Sequence, residues 1–282
     1  MFEDVDSISL NDKLRELAEK ELGETQELQG QALRELKEKI LALPEADQLK
    51  DLSSQSLIRF LRSRKYDISK ALDFAVEYQK FLSLHDAELA GITEAEILHF
   101  HQAVTVFQDP ENLRIVVIVR LKKILEQFSS EYKTLRPSFF LRFRFFLFER
   151  LSHNPYAQIC GTVLIFSCKD VTFWEELKLP QICSVADHKA SFRHFNILGT
   201  RMKGSYMFQE PGFLSWLWYF ISPMMSQKIR SRFHFCGRHI ELIHQAVSDV
   251  SILPESLGGK LSEESELVSW WILSECNKCF PK

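Results

Sequence analysis

Two short runs of branched apolar residues constrain the fold of this chain more than any other feature. Leu113–Arg120 reads LRIVVIVR and Gly161–Ser167 reads GTVLIFS, with little alternation between apolar and polar side chains. Such runs are typical of strands buried on both faces, as in a parallel sheet that helices cover. Gly204–Phe208 and Phe233–Phe235 are weaker candidates for strands of the same sheet. The pattern predicts an α/β fold.

Helical patterns separate these strands and fill the first third of the chain. Between and after the strand candidates we expect helices over Ser138–Leu151, Trp174–Asp187, Phe213–Phe220 and Arg238–Ser248. Leucines at helical spacing among Glu and Lys predict amphipathic helix from residue 10 until Pro44 ends it, and Gly23 and Gly30 leave open whether it is unbroken. Further helices are predicted over Ser54–Arg64 and Ile68–Leu84. These segments predict a small helical domain ahead of the α/β domain.

Motifs of catalysis and metal binding are missing from the sequence. It has no GxSxG elbow, HExxH pair, Walker loop or GxGxxG after a strand. His99 and His101 have no ligand cluster nearby, and Cys276-x-x-Cys279 lacks the second pair of a typical zinc site. The acidic start does not resemble a signal peptide and no long apolar run occurs, so the six cysteines are expected to be reduced cytosolic thiols. We therefore expect no enzyme, no metal and no conventional cofactor.

Phenylalanine is unusually frequent, with 23 residues, and it concentrates in one predicted helix. Residues 138–151 read SFFLRFRFFLFERL, which is too apolar for a helix with one exposed face. Such a helix would pack between the sheet and a second apolar surface. That second surface could be protein core or a bound ligand, and both interpretations stay open.

A second aromatic segment reads FLSWLWYFI at residues 213–221, between Pro211-Gly212 and Pro223. Its large side chains surround a helix of two to three turns, so an exposed position would leave an apolar patch. The segment could be a buried helix, half of a dimer interface, or a lid that closes a cavity on one side and enters a membrane on the other. Trp and Tyr favour the membrane interface because each joins an apolar body to a polar group.

Basic residues flank this aromatic segment although the net charge of the chain is only −3, which gives no reason to expect nucleic acid. Arg201 and Lys203 precede it, and Lys228, Arg230 and Arg232 follow it. On a helix, the spacing of four would place Lys228 and Arg232 on one face. A basic run is usually a solvated surface, but an apolar lid between two basic clusters describes a membrane docking site better.

Three motifs in this order resemble the CRAL-TRIO (Sec14-like) family. LIRFLRSRKYDISKA at 57–71 is similar to its N-terminal signature, and ILPESLGG at 252–259 is similar to its closing motif. GSYMFQEP at 204–211, with the aromatic segment and KIRSRFHF, resembles the gate region of the branch that contains α-tocopherol transfer protein and cellular retinaldehyde-binding protein. Ser256 and Leu257 depart from the closing motif, where relatives have Glu and an aromatic residue.

The resemblance implies a three-layer α/β/α sandwich with a mixed, mainly parallel sheet, preceded by a small all-helical N-terminal domain. We place the helical domain at residues 1–88 and the lipid-binding domain at 89–282, with a mobile gate helix at about 211–224. The implied function is binding and transfer of a hydrophobic ligand such as tocopherol, a retinoid or a similar terpenoid. In the tocopherol-transfer branch four basic residues bind a phosphoinositide head group. They carry over to Arg201, Lys203, Lys228 and Arg232.

The resemblance also implies which residues line the ligand pocket. The pocket positions are Phe139, Phe143, Phe146, Leu147, Thr162, Leu164, Phe166, Phe192, Phe213, Leu214 and Leu217. Trp216, Trp218 and Phe220 are expected to face the membrane. A helix expected to supply an apolar wall instead contains Ser184, Asp187 and His188, so the identity of the ligand does not transfer from any one relative.

The expected partners are thus one hydrophobic small molecule, phosphoinositides and a membrane surface, with no nucleic acid. We expect a cytoplasmic monomer that associates reversibly with endosomal or plasma membranes. A phosphoinositide-sensing trafficking adaptor without a dedicated isoprenoid cargo is the alternative, and an enzyme that acts on an apolar molecule is a third possibility.

Overall fold

The computed structural model describes residues 10–85, 103–130, 139–177, 186, 189–190, 193–194 and 200–262. The chain forms two compact units. The first comprises residues 1–89, 148–160 and 192–201, and the second comprises 90–147, 161–191 and 202–282. The first unit thus includes two later segments that the linear division at residue 88 assigns to the lipid-binding domain.

The first unit is helical. Its four N-terminal helices are α1 (Asp12–Leu22), α2 (Gln26–Leu41), α3 (Ser54–Ser63) and α4 (Ile68–Leu84). Each begins at a side chain that accepts a backbone hydrogen bond, which satisfies one of the amides left over at a helix start. Gly23, with φ of 71°, ends α1, so the leucine pattern before Pro44 is two helices and not one.

Two buried arginines of α3 join the later segments to this unit. Arg59 donates to Glu149 at 2.5 Å, and Arg62 donates to Gln158 at 2.6 Å and to Glu24 at 2.6 and 2.8 Å. Glu149 lies on α6 (Phe139–His153), and Gln158 lies on α7 (Pro155–Ile159). Buried charges need partners of this kind, so one ion pair, to Glu149, and one hydrogen bond, to Gln158, tie α6 and α7 to α3.

The second unit is built on one five-stranded sheet in the order β1-β2-β3-β4-β5. The strands are β1 (Val104–Gln108), β2 (Ile115–Arg120), β3 (Thr162–Ser167), β4 (Met202–Phe208) and β5 (Phe233–Gly237). Only β1 pairs antiparallel to its neighbour, which confirms the predicted mixed and mainly parallel sheet. The sequence patterns located the other four strands and missed β1.

Further α-helices lie among the described residues of the second unit, and the first of them, directly after β2, was not predicted from the sequence. They are α5 (Leu121–Ser130), α8 (Phe173–Glu176), α9 (Gly212–Ile221), α10 (Gln227–Arg230) and α11 (Glu241–His244). The expectation of one helix over Arg238–Ser248 is wrong. The helical stretch ends at α11, and the amide of Ser248 instead donates to Asp109 at 2.8 Å. The helix expected over Trp174–Asp187 begins as α8, and most of its length lies outside the described residues.

The two faces of the sheet have different neighbours. On the face that we call the cluster face, Val163 and Ile165 pack with Ile243 and other apolar residues of the segment from 240 to 257. Because side chains alternate along a strand, Thr162, Leu164 and Phe166 point to the opposite face. We call this the α9 face, because Trp218 of α9 lies on it.

Candidate functional site

Helix α9 divides its aromatic side chains between two environments. The ring of Trp218 lies 4.6 Å from the ring of Phe233 and 5.5 Å from that of Phe235, both on β5. Trp216, Tyr219 and Phe220 are 52%, 75% and 47% exposed. In this structure Trp218, which the sequence analysis grouped with Trp216 and Phe220, therefore packs on β5 and does not share their exposed side. Positions 216, 219 and 220 share one helix face and position 218 does not, so helical spacing could have shown this from the sequence.

The start of α9 is held by a carboxylate. Glu210 accepts from the amide of Gly237 at 2.9 and 3.2 Å, which ties the segment before α9 to the end of β5. Gln209 has a φ of 52°, a conformation that side chains other than glycine seldom adopt. Pro211, which caps the helix, makes no side-chain hydrogen bond to it. The backbone just before α9 is thus locally strained at Gln209.

The predicted pocket residues fall into three groups. Thr162, Leu164 and Phe166 lie on the α9 face of β3 by strand alternation. The α6 residues Phe143, Phe146 and Leu147 are buried, and Leu214 of α9 is half-buried. Phe192 and the side chains of Phe139, Phe213 and Leu217 lie outside what the structure describes.

The sequence analysis missed four residues of the α9 face, namely Ser205 and Met207 on β4 and Phe233 and Phe235 on β5. Leu164 of β3 lies opposite Ser205 of β4, which in turn lies opposite Phe233, and Met207 lies opposite Phe235. Their strands were weak candidates, and without the register their shared face could not be read from the sequence.

Three of the four residues predicted to bind a phosphoinositide belong to the second unit and lie at or near the starts of β4 and β5. They are Lys203, Lys228 and Arg232. The carbonyl of Arg232 accepts from the amide of Ser205 at 2.8 Å, and its guanidinium donates to the carbonyl of Met202, so it lies beside the start of β4. Lys203 is half-buried on β4, and Lys228 is exposed on α10. The expectation that Lys228 and Arg232 share a helix face is wrong, because α10 ends at Arg230.

Arg201 belongs to the first unit, where its guanidinium is already bound. It donates to Glu21 of α1 at 2.9 Å and to the carbonyl of Ile159 at 2.6 Å. A phosphate group would have to compete with the carboxylate for this side chain. The sequence offers no sign of this pairing, because Glu21 precedes Arg201 by 180 residues.

A second exposed apolar surface lies on α8 and the residue after it. Phe173, Trp174 and Leu177 are all exposed. A side chain at Gly212, the first residue of α9, would come within 3.9 Å of the Glu176 carboxylate, so this surface is adjacent to the start of α9.

Helix α8 is fixed in place by Glu175. The Glu175 carboxylate accepts from Lys122 at 2.6 Å and caps the helix with Thr172. These hydrogen bonds, that of Lys122 first, lower the pKa of Glu175 to about 2. The exposed apolar residues of α8 therefore lie on an anchored turn.

The closing motif is retained in its backbone. Gly258 has a φ of 80°, and a Cβ at Gly259 would lie 1.8 Å from the carbonyl oxygen of Leu253. Leu257, which replaces the usual aromatic residue, is fully buried among the residues of the cluster face. The motif thus packs as part of the core despite its altered sequence.

No metal-binding group of three or more His, Cys, Asp or Glu occurs among the described residues. Cys160, Cys168 and Cys236 are buried thiols, and burial raises the pKa of Cys168 to about 12 and that of Cys236 to about 11. Protonated thiols of this kind are poor nucleophiles and poor metal ligands. In the part of the chain that the structure describes, no helix is long and apolar enough to cross a membrane.

Comparison with known proteins places the chain in a family. The model of the CRAL/TRIO domain matches residues 99–259, more than half of the chain. Clavesin-1 of Pongo abelii is 25% identical over 256 residues, which cover 87% of this chain and 68% of that protein. The human protein "Alpha-tocopherol transfer protein-like" is 25% identical over 227 residues, which cover 75% of this chain and 60% of that protein.

A solved structure shares the fold. The crystal structure of Sfh5 aligns with a TM-score of 0.51 at 12% identity and covers 85% of this chain and 88% of that chain. With the family match over the sheet, α9 and the closing Gly-Gly turn, the conclusion is direct: the chain belongs to the CRAL/TRIO family.

Proposed function

We propose that this protein binds a hydrophobic lipid on the α9 face of its sheet and releases it at membranes that contain phosphoinositides. Membership of the CRAL/TRIO family supports lipid binding and transfer. The relative named as similar to α-tocopherol transfer protein favours tocopherol, a retinoid or a related terpenoid as the ligand class. Helix α9 is the mobile lid.

The observation that carries the proposal is the division of the aromatic residues of α9. Trp218 packs against Phe233 and Phe235, while Trp216 and Tyr219 are exposed. A helix with two apolar sides can exchange one apolar environment for another when it swings from the sheet into a leaflet. Movement of this kind needs little exposure of apolar surface to water, which keeps the barrier low.

Retention of the ligand follows from its burial. Removing 300 Å² of apolar surface from water is worth roughly 7 kcal/mol, at about 25 cal/mol per Å². A lipid held in this way leaves slowly in water, so release needs a trigger that favours the open state.

Lys203, Lys228 and Arg232 supply that trigger by binding the phosphoinositide head group. They lie at the start of β4 and β5 and just after α9, so head-group binding brings α9 to the leaflet. Each basic residue near an anionic leaflet contributes about 1 kcal/mol. Arg201, in the first unit, binds a phosphate only when that phosphate displaces Glu21.

The first experiment identifies the ligand that co-purifies with the protein. Native mass spectrometry followed by organic extraction is expected to show one terpenoid-type lipid per chain. A bound phospholipid or no ligand at all would contradict the transfer function and favour the sensing adaptor.

The second experiment measures transfer of that ligand between vesicles with and without phosphoinositide. The double variant Lys228→Ala/Arg232→Ala is expected to lose the stimulation by phosphoinositide and to keep the basal rate. The matched control is Arg238→Ala/Lys260→Ala, which removes the same charge from exposed positions outside the cluster. Equal stimulation of the wild-type protein and the cluster variant would show that the trigger is wrong.

A further inference from the structure

Two buried hydroxyl groups in the sheet have no hydrogen-bond partner among the described residues. They are Oγ1 of Thr162 on β3 and Oγ of Ser205 on β4. The two residues are 1% and 0% exposed, so water does not reach them from the surface. Native proteins satisfy nearly all buried polar groups, because an unpaired hydroxyl loses its hydration without compensation. Such a pair calls for an explanation.

Both hydroxyls point to the α9 face. The register of β2 and β3 is unbroken from the pair Ile115–Thr162 onward, so alternation along β3 holds at Thr162. Val163 and Ile165 face the cluster side, which places Thr162 and Leu164 opposite. Ser205 pairs with Leu164 and shares its face. Thr162 lies two residues before Leu164, the partner of Ser205, and a register shift between β3 and β4 falls at Thr162 and Val163, so both hydroxyls lie near the start of this face.

The neighbours of the two hydroxyls on this face are apolar. They include Leu164 between them in register and Met207 and Phe233 beside Ser205. Lys203, at the start of β4, already interacts with another group. The result is an apolar surface with two neutral hydroxyl groups, each able to donate one hydrogen bond and to accept others.

We propose that Thr162 and Ser205 bind a neutral oxygen atom of the ligand, either a hydroxyl or a carbonyl. The ligand is then an oxygenated lipid, and neither a pure hydrocarbon nor a fatty acid. This inference rests on the proposed lipid site. A hydrocarbon would leave both hydroxyls unpaired, and two neutral hydroxyls compensate poorly for burying a carboxylate.

The test compares three C20 isoprenoids of matched shape: phytol, phytane and phytanic acid. Each is loaded from phosphatidylcholine vesicles onto the full chain, and the retained amount is measured by mass spectrometry after gel filtration. The wild-type protein is expected to retain phytol in preference to the other two. Thr162→Val and Ser205→Ala should each lower the preference for phytol over phytane about two- to tenfold, the value of one hydrogen bond.

Two controls separate loss of the hydroxyls from loss of the fold. Thr162→Ser keeps a hydroxyl and should restore much of the preference for phytol. Ser167→Ala removes a hydroxyl from the cluster face of the same strand and should leave the preference unchanged. Retention of phytane by all variants at the wild-type level shows that the apolar site is intact.

The outcomes are distinguishable. If the double variant Thr162→Val/Ser205→Ala keeps the wild-type preference for phytol over phytane, or if the wild-type protein prefers phytane or phytanic acid, the assignment of the two hydroxyls is overturned while lipid binding stands. If the wild-type protein retains none of the three lipids, the proposed lipid-binding function fails and the assignment fails with it.

Discussion

Replacing Glu149 by Gln tests the buried ion pair that joins α6 to α3. The Glu149 carboxylate accepts from Arg59 at 2.5 Å and from the hydroxyl of Tyr78 at 2.7 Å, and His153 lies 3.4 Å away. Removing the charge leaves the Arg59 guanidinium, which is 3% exposed, buried without a counter-ion. Breaking such a pair from one side costs about 3–5 kcal/mol, so we expect a loss of this size in the free energy of unfolding.

The pH dependence of the free energy of unfolding gives a second test of the same ion pair. Burial works to raise the pKa of Glu149, but Arg59 and then His153 and His194 hold it well below its usual value. The stabilisation is therefore complete above the unfolded pKa, about 4.3, and is lost as the pH falls through the folded pKa. The stability difference between the wild-type protein and Glu149→Gln should shrink below about pH 4.

The assay is urea unfolding followed by circular dichroism at several pH values. Glu35→Gln is the matched control, because Glu35 forms an exposed pair with Lys39 at 3.7 Å, worth less than about 1 kcal/mol. A change below about 1 kcal/mol in Glu149→Gln at pH 7, or a difference between the two proteins that grows in acid, would refute the reasoning.

Three further predictions concern the lid, the basic cluster and the closing motif. Trp216→Ala should weaken binding to phosphoinositide vesicles in flotation assays without lowering the melting temperature. Trp218→Ala should instead lower the melting temperature and the retention of ligand. Identical effects of the two substitutions would contradict a helix with two different apolar sides. Glu21→Gln should release Arg201 and strengthen vesicle binding up to about fivefold, and weaker binding would exclude competition. Gly259→Ala should cost more than about 3 kcal/mol of unfolding free energy, because its Cβ would lie 1.8 Å from a backbone carbonyl oxygen, and a native-like urea midpoint would contradict this.

The strands could be predicted from the sequence because burial on both faces leaves a local record. β2 and β3 are runs of branched apolar residues, and both lie within a residue or two of their predicted bounds. β1 was missed because VTVFQ is short, lies at the edge of the sheet and ends at the exposed Gln108. Edge strands carry weaker patterns since only one neighbour constrains them.

Ion pairs and hydrogen bonds between residues distant in the sequence produce no such local pattern. Arg59 and Arg62 belong to the motif at 57–71 that resembles the N-terminal signature of the family, and both side chains are buried in ion pairs. Sequence alone gives the charge of an arginine but not its partner, and the partners here come from other segments of the chain. These two arginines are thus structural.

The same principle limits the basic cluster as a membrane site. Counting Arg201 with Lys203, Lys228 and Arg232 suggests four equal contacts, each worth about 1 kcal/mol. Arg201, however, already donates to a carboxylate and a carbonyl. Its net contribution to membrane binding is therefore the free energy of its contact with phosphate minus that of its ion pair with Glu21. Lys228 is exposed on α10 and forms no ion pair with the described residues, so it should contribute more. We therefore expect Lys228→Ala to weaken vesicle binding more than Arg201→Ala, a ranking that vesicle flotation measures directly and that the opposite order would overturn.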